Sequence, residues 1–123
     1  MVNGVAWRAA EVPAINGHGT ARGIAGLYAA LLRSELLSSE LLREAVSVQC
    51  SGIDRVFGHE NAWGLGFGLD GDGFGMGGLG GSYAGASARG GYAIAFVTGT
   101  MGAHERAETL ENALRSSVGF PAI

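Results

Sequence analysis

The run Gly75-Met76-Gly77-Gly78-Leu79-Gly80, with Asp70 and Asp72 just ahead of it, is the first place in this sequence to look for chemistry. Its glycine spacing fits GxGxxG, in which backbone N–H groups opening a helix hold a pyrophosphate. Strand-type residues follow the run, and such a phosphate cradle needs a helix at that point. Asp70-Gly71-Asp72-Gly73 starts as a calcium loop does, but Phe74 and Gly81 fall at ligand positions, so the chemistry is that of a tight turn. His18, His59 and His104 are widely separated and no HExxH occurs; they read as surface or helix-capping residues, and no metal or other cofactor is expected. Cys50, the single cysteine, has no CxxC or Cys/His cluster around it and reads as a small buried apolar residue.

The nucleophile signatures are more decisive. The chain has no lysine, which rules out a Ser-x-x-Lys pair, and neither Ser82 nor Ser87 sits in Gly-x-Ser-x-Gly. Ser82, behind two glycines, reads as a strand residue at a sharp bend.

Residues 1–19 show no sustained period, and Pro13, Asn16, Gly17 and Gly19 punctuate them, so they read as an irregular lead-in. Residues 20–48 read as a helical pair. Thr20 is placed as an N-cap, followed by Ile24, Leu27, Tyr28 and Leu31 at the three- and four-residue steps of one helix face. Ser38 or Ser39 caps the second helix, with Glu40 in its first turn and Leu41, Leu42, Ala45 and Val46 facing inward. The composition then changes. Most of the 23 glycines lie between Gly58 and Gly102, and across residues 58–99 the apolar period becomes two, giving glycine-rich antiparallel strands. Trp63, Leu65, Phe67 and Leu69 alternate with glycines, which predicts one strand with a bulky face and a bare one. Tyr92, Ile94 and Phe96 alternate with Ala93, Ala95 and Val97, so both faces are apolar, the character of a central strand. A closing helix over 103–118 is predicted from Ala103, Ala107, Leu110, Leu114 and Val118, stopped by Gly119 and Pro121. The sum is an α+β fold, an antiparallel sheet of about three strands flanked by helices, in a single domain over 1–123.

Composition sets the outer limits. With 123 residues, 47% hydrophobic and 15% charged, the chain has the balance of one packed core. A net charge of −3 without lysine lacks the footprint of a nucleic-acid binder. No apolar run approaches the roughly 20 residues that span a bilayer, and no signal peptide is readable, so neither membrane nor nucleic acid is an expected partner and the cytoplasm is the expected location.

Phe74 to Ser82, followed by the strand 91–98 and a closing helix, resembles the C-terminal end of the β-lactamase-like serine hydrolases: class C β-lactamases, penicillin-binding proteins and family VIII esterases. The stretch from Ile15 to Arg22, leading into Leu27 to Leu31, is similar to a helix-entering segment of the esterase-like members. By that resemblance Met76-Gly77-Gly78 occupies the third motif of the family (Lys-Thr-Gly, His-x-Gly or Trp-x-Gly). Met76, Gly77, Gly78 and Gly80 would then line the substrate, with the Leu79 N–H as an oxyanion-hole donor. The first two motifs, Ser-x-x-Lys and Tyr-x-Asn, do not occur, and Met76 replaces a basic or aromatic residue whose cation its thioether does not supply. The resemblance therefore implies the C-terminal portion of a serine hydrolase, an esterase in character and inactive alone. Its partner would be the N-terminal part of the same fold or a second copy, with a small ester or acyl substrate once completed. The alternative is a non-catalytic binding or assembly domain of the same ancestry.

Overall fold

A computed structural model describes residues 4–15 and 17–123. Met1 to Asn3 and Asn16, all within the expected lead-in, lie outside the described residues. The lead-in is not wholly irregular, because Val5–Ala9 forms a short helix, α1. Thr20 caps α2 (Ala21–Leu32), its hydroxyl accepting from the Gly23 N–H at 3.1 Å. Ser38 does the same for α3 (Ser39–Ala45) through the Leu41 N–H, also at 3.1 Å. Each cap satisfies one amide that the first helical turn leaves without a partner. The closing helix, α4, runs Glu105–Ser117 with Glu105 and Glu108 at its positive end and Arg115 near its negative end.

Between α3 and α4 the chain makes a six-stranded antiparallel meander in sequence order: β1 (Cys50–Ile53), β2 (Glu60–Trp63), β3 (Gly68–Asp70), β4 (Gly73–Gly77), β5 (Tyr83–Ser87) and β6 (Tyr92–Phe96). The class is the expected α+β, with twice the expected strands. Two causes account for the difference. β1 and β2 precede the glycine alternation and are short, leaving little period to read. The strand predicted across Trp63 to Leu69 is folded into a hairpin, with Gly64 to Phe67 as its loop. The Gly64 N–H donates to Phe67 O at 2.8 Å and the Leu65 N–H to Ala45 O at 2.7 Å, while Gly66 takes φ +84°. Glycines that mimic the bare face of a strand are here the turn itself.

The two sheet faces differ in bulk. Ala84 and Ala86 of β5 and Ala93 and Ala95 of β6 share one face, and α2 rests on these two strands, setting Tyr28 and Leu31 into a cluster with Leu42, Phe74 and the alanines. Small residues there let the helix sit close. Tyr28, Phe67 and Phe74 meet ring to ring at centroid distances of 5.2–6.3 Å. Burying each such ring contributes on the order of 2–3 kcal/mol. The other face carries Trp63, Tyr83, Tyr92, Ile94 and Phe96, and α4 lies over it. Trp63 lies against its cross-strand partner Gly68, and Tyr83 lies over Gly85. The bare positions of the sheet are thus filled by neighbouring aromatic rings.

Candidate active site

The Met76–Leu79 segment sits where β4 runs out. Met76 pairs with Ala84 and Gly77 with Tyr83. Beyond them the chain turns tightly, the Gly78 N–H donating to Ser82 O at 2.7 Å and the Gly81 N–H to Gly78 O at 2.9 Å. β3 pairs only with residues 73–75 of β4, so the Met76–Gly77 end has a strand on one side and open space on the other. Met76 is half-exposed on this end. Leu79 stands at the tip of the turn, 95% exposed, and no acceptor among the described residues takes its N–H. Its neighbours Gly78 and Gly80 put no side chain beside that amide.

The turn is held from behind by the loop that leads into α4. The Gly102 N–H donates to Gly80 O at 3.0 Å and the Thr98 N–H to the Ser82 hydroxyl at 3.2 Å. Gly81 takes φ +87°, and a Cβ there would stand 2.6 Å from Gly102 O. Only glycine meets both conditions. Ser82 is therefore a bend residue whose hydroxyl accepts a backbone amide.

Sequence reasoning missed His104. Expected at the surface or as a cap, it is the residue before α4, but its side chain makes no cap bond. The imidazole lies over Gly77 instead, so that a Cβ on Gly77 would fall 2.7 Å from Nε2, which is buried and without a hydrogen-bond partner. The available signal was the glycine alternating with Met76, a bare position that implies something packed above it. His104, Met76 and Gly77 are at one end of a groove of about 730 Å³ between α4 and β2–β4. Trp63, Tyr83 and Phe57 give it aromatic walls, and Asn61 and Glu108 add polar ones.

The far end of β4 is anchored by a polar network. The Asp70–Gly73 segment is the β3–β4 turn, with Gly71 at φ +55°. Asp72 in that turn accepts from the Ser87 hydroxyl at 2.6 Å and from Arg115 of α4 at 2.9 Å. Arg115, buried, also donates to the Tyr92 hydroxyl at 2.9 Å, which in turn donates to Glu111 at 2.7 Å. The Ser87 bond, aided by Arg115, holds the Asp72 carboxyl below the usual aspartate range. Burial and the bond to Glu111 push the Tyr92 phenol up to about 12. Ser87 is fully buried, its hydroxyl donating to Asp72 and accepting from the Gly90 N–H at 2.7 Å, the arrangement of a structural tie.

Cys50 is exposed on β1, against the expectation of a buried residue, because β1 is an edge strand with all four residues exposed. Among the described residues no three His, Cys, Asp or Glu side chains converge as metal ligands, and no helix is long and apolar enough to cross a membrane.

The β-lactamase family model matches residues 1–117. A family VIII carboxylesterase of known structure is 34% identical, with a TM-score of 0.75 over 82% of this chain and 31% of its own. A penicillin-binding protein homologue from Caulobacter crescentus is 32% identical, with a TM-score of 0.73 over 81% of this chain and 31% of its own. EstA from Arthrobacter nitroguajacolicus Rue61a, at 24% identity, shares the fold with a TM-score of 0.75 over 96% of this chain and 38% of its own. No curated protein matches. This chain spans about a third of the length of the solved relatives it resembles, and with a family model covering nearly all of its residues it belongs to the β-lactamase family of serine hydrolases.

Proposed function

We propose that this chain supplies one wall of a serine-esterase site: β4 as the substrate-lining strand, with Met76, Gly77, Gly78 and Gly80 against the acyl group, and the Leu79 N–H as an oxyanion donor. The observation that carries this reading is the uncommitted Leu79 amide at the open end of β4, flanked by glycines. Such an amide can approach to within about 3 Å of a developing oxyanion, and its transition-state bond has no ground-state partner to break. The nucleophile and base come from the N-terminal part of the fold, with Ser-x-x-Lys and Tyr-x-Asn, so the chain alone is catalytically silent. Met76 places a thioether where a cation would receive a β-lactam carboxylate, which favours small neutral acyl esters. The work is done in the cytoplasm, where the exposed Cys50 stays a thiol.

The test is Leu79→Pro in the enzyme reconstituted from this chain and the part bearing Ser-x-x-Lys. Removing one oxyanion donor lowers kcat for p-nitrophenyl butyrate about 10²–10³-fold with KM little changed. Leu79→Ala keeps the N–H and stays near the parent. Equal losses in both variants, or none in Leu79→Pro, contradict the assignment.

A further inference from the structure

The residues that precede α2, α3 and α4 use their side chains differently. Thr20 and Ser38 are extended, with ψ 154° at both, and turn their hydroxyls onto their own first helical turns. His104 takes the same place before α4 with helical dihedrals (φ −83°, ψ −7°), makes no cap bond, and carries its imidazole across onto β4. There it covers Gly77. A Cβ at that position would stand 2.7 Å from Nε2 and 3.3 Å from both Cδ2 and Cε1, so the ring occupies the volume that a side chain on residue 77 would take. For this contact α4 goes without a side-chain cap, and Nε2 is buried without a hydrogen-bond partner. Both features cost stability, and departures of this kind from local rules gather where a site needs a fixed geometry.

Fixing is what the Leu79 turn lacks of itself. Gly77, Gly78, Gly80 and Gly81 surround Leu79 with the residue type of widest backbone freedom, and β3 pairs no further along β4 than Gly75. An amide that must meet an oxyanion at about 3 Å works best when it is held in place before the reaction begins. The holding surface is the segment 101–104. Besides His104 on Gly77, a Cβ on Gly80 would meet Met101 at 3.2 Å, and one on Gly81 would meet the Gly102 and Ala103 carbonyls. The segment is itself tied, because Thr100 O accepts from the Thr98 hydroxyl at 2.6 Å and from Arg106 of α4 at 2.9 Å. Met101 is largely exposed and residues 102 and 103 offer backbone, which leaves His104 as the partly buried side chain of this support.

We propose that His104 is a positioning residue for the Leu79 amide. By standing in for a side chain on Gly77, its imidazole sets how closely the end of β4 approaches α4, and with that where the turn presents its N–H. The inference rests on the reading of Leu79 as the oxyanion donor, and His104 acts through that donor without touching the reacting atoms.

A double-mutant cycle in the reconstituted enzyme, with p-nitrophenyl butyrate, tests it. His104→Ala is expected to lower kcat about 10–100-fold with KM within about twofold, the scale of a misplaced reacting group. Once Leu79→Pro has removed the donor, the same change costs no more than about twofold. Gly77→Thr alone meets the ring and also loses kcat; added to His104→Ala it refills the space and regains at least about fivefold. Amide hydrogen exchange in the same enzyme gives a readout apart from catalysis. Gly78 and Gly81, whose N–H groups close the turn onto Ser82 O and Gly78 O, exchange about tenfold faster in His104→Ala while the β5 amides stay as they were. Equal losses of kcat in both backgrounds, a loss confined to KM, or parent kcat in His104→Ala overturns the role of His104 while Leu79→Pro still reports the donor. So does exchange that is unchanged in the turn or that rises equally along β5, the mark of a general support of the fold. A silent Leu79→Pro overturns the donor assignment itself, and this inference with it.

Discussion

In the proposed reading, position 76 has a thioether where the β-lactamase-like hydrolases have a basic or aromatic side chain, and the His104 imidazole lies over the adjacent Gly77. Restoring a cation is a direct probe. Met76→Lys in the reconstituted enzyme is expected to move the ratio of nitrocefin to ester turnover toward the lactam by about tenfold, the scale of one exposed charge-assisted bond; an unchanged ratio removes the role assigned to residue 76. A second residue-scale prediction follows from Asp72. Its folded-state pKa is depressed by the Ser87 and Arg115 bonds, so as the pH falls the unfolded chain takes up the proton first. The stabilisation is complete above the ordinary aspartate value of about 3.9 and is lost as the pH drops through the folded value. Tm should therefore be flat from neutral pH to about 5 and fall below about 4. Asp72→Asn should melt lower at neutral pH with a shallower acid limb, and identical acid limbs would detach the network from acid stability.

Among the elements, α2, α3 and α4 were legible from local signals, and the short α1, without a capping side chain, was not. Thr20 and Ser38 cap where an N-cap side chain precedes an apolar three-and-four period, and α4 ends before Gly119 as charge pattern and glycine require. Strands rich in glycine were legible only in part, because glycine serves three structural purposes that look alike in sequence. At Gly85 it leaves room for the Tyr83 ring, at Gly66 it takes a left-handed turn, and at Gly77 it admits an imidazole. Period two over Trp63 to Leu69 therefore read as a strand and proved to be a hairpin. His104 was hidden for a related reason: its partner is a missing side chain 27 positions away in sequence. The turn that presents Leu79 has the strictest demand. Gly81→Ala forces a Cβ into a left-handed conformation and against the Gly102 and Ala103 carbonyls, and a loss of about 2–4 kcal/mol is expected in denaturant unfolding. A loss below about 0.5 kcal/mol would show that the turn is not fixed by this contact.

On the scale of the whole molecule, the proposed substrate wall is β4, with the Leu79 amide just past one end and the polar anchor at the turn before the other, within a chain spanning about a third of its solved relatives' length. The family was readable from Phe74 to Ser82 with the strand and helix that follow, and the fold class from the order of the elements. The anchor was not, because it draws Asp72, Ser87, Tyr92, Glu111 and Arg115 from four elements separated by up to 43 positions. The central claim is that the wall lies here and the nucleophile elsewhere. Hydrolysis of p-nitrophenyl butyrate by the isolated chain, with and without a serine-directed phosphonate and with intact-mass detection of any adduct, tests it most directly. The account predicts a rate that does not saturate with ester, equals buffer within error, and leaves the mass unchanged by the phosphonate. A saturating rate abolished by stoichiometric phosphonylation of Ser82, Ser87 or any other serine of this chain would contradict it.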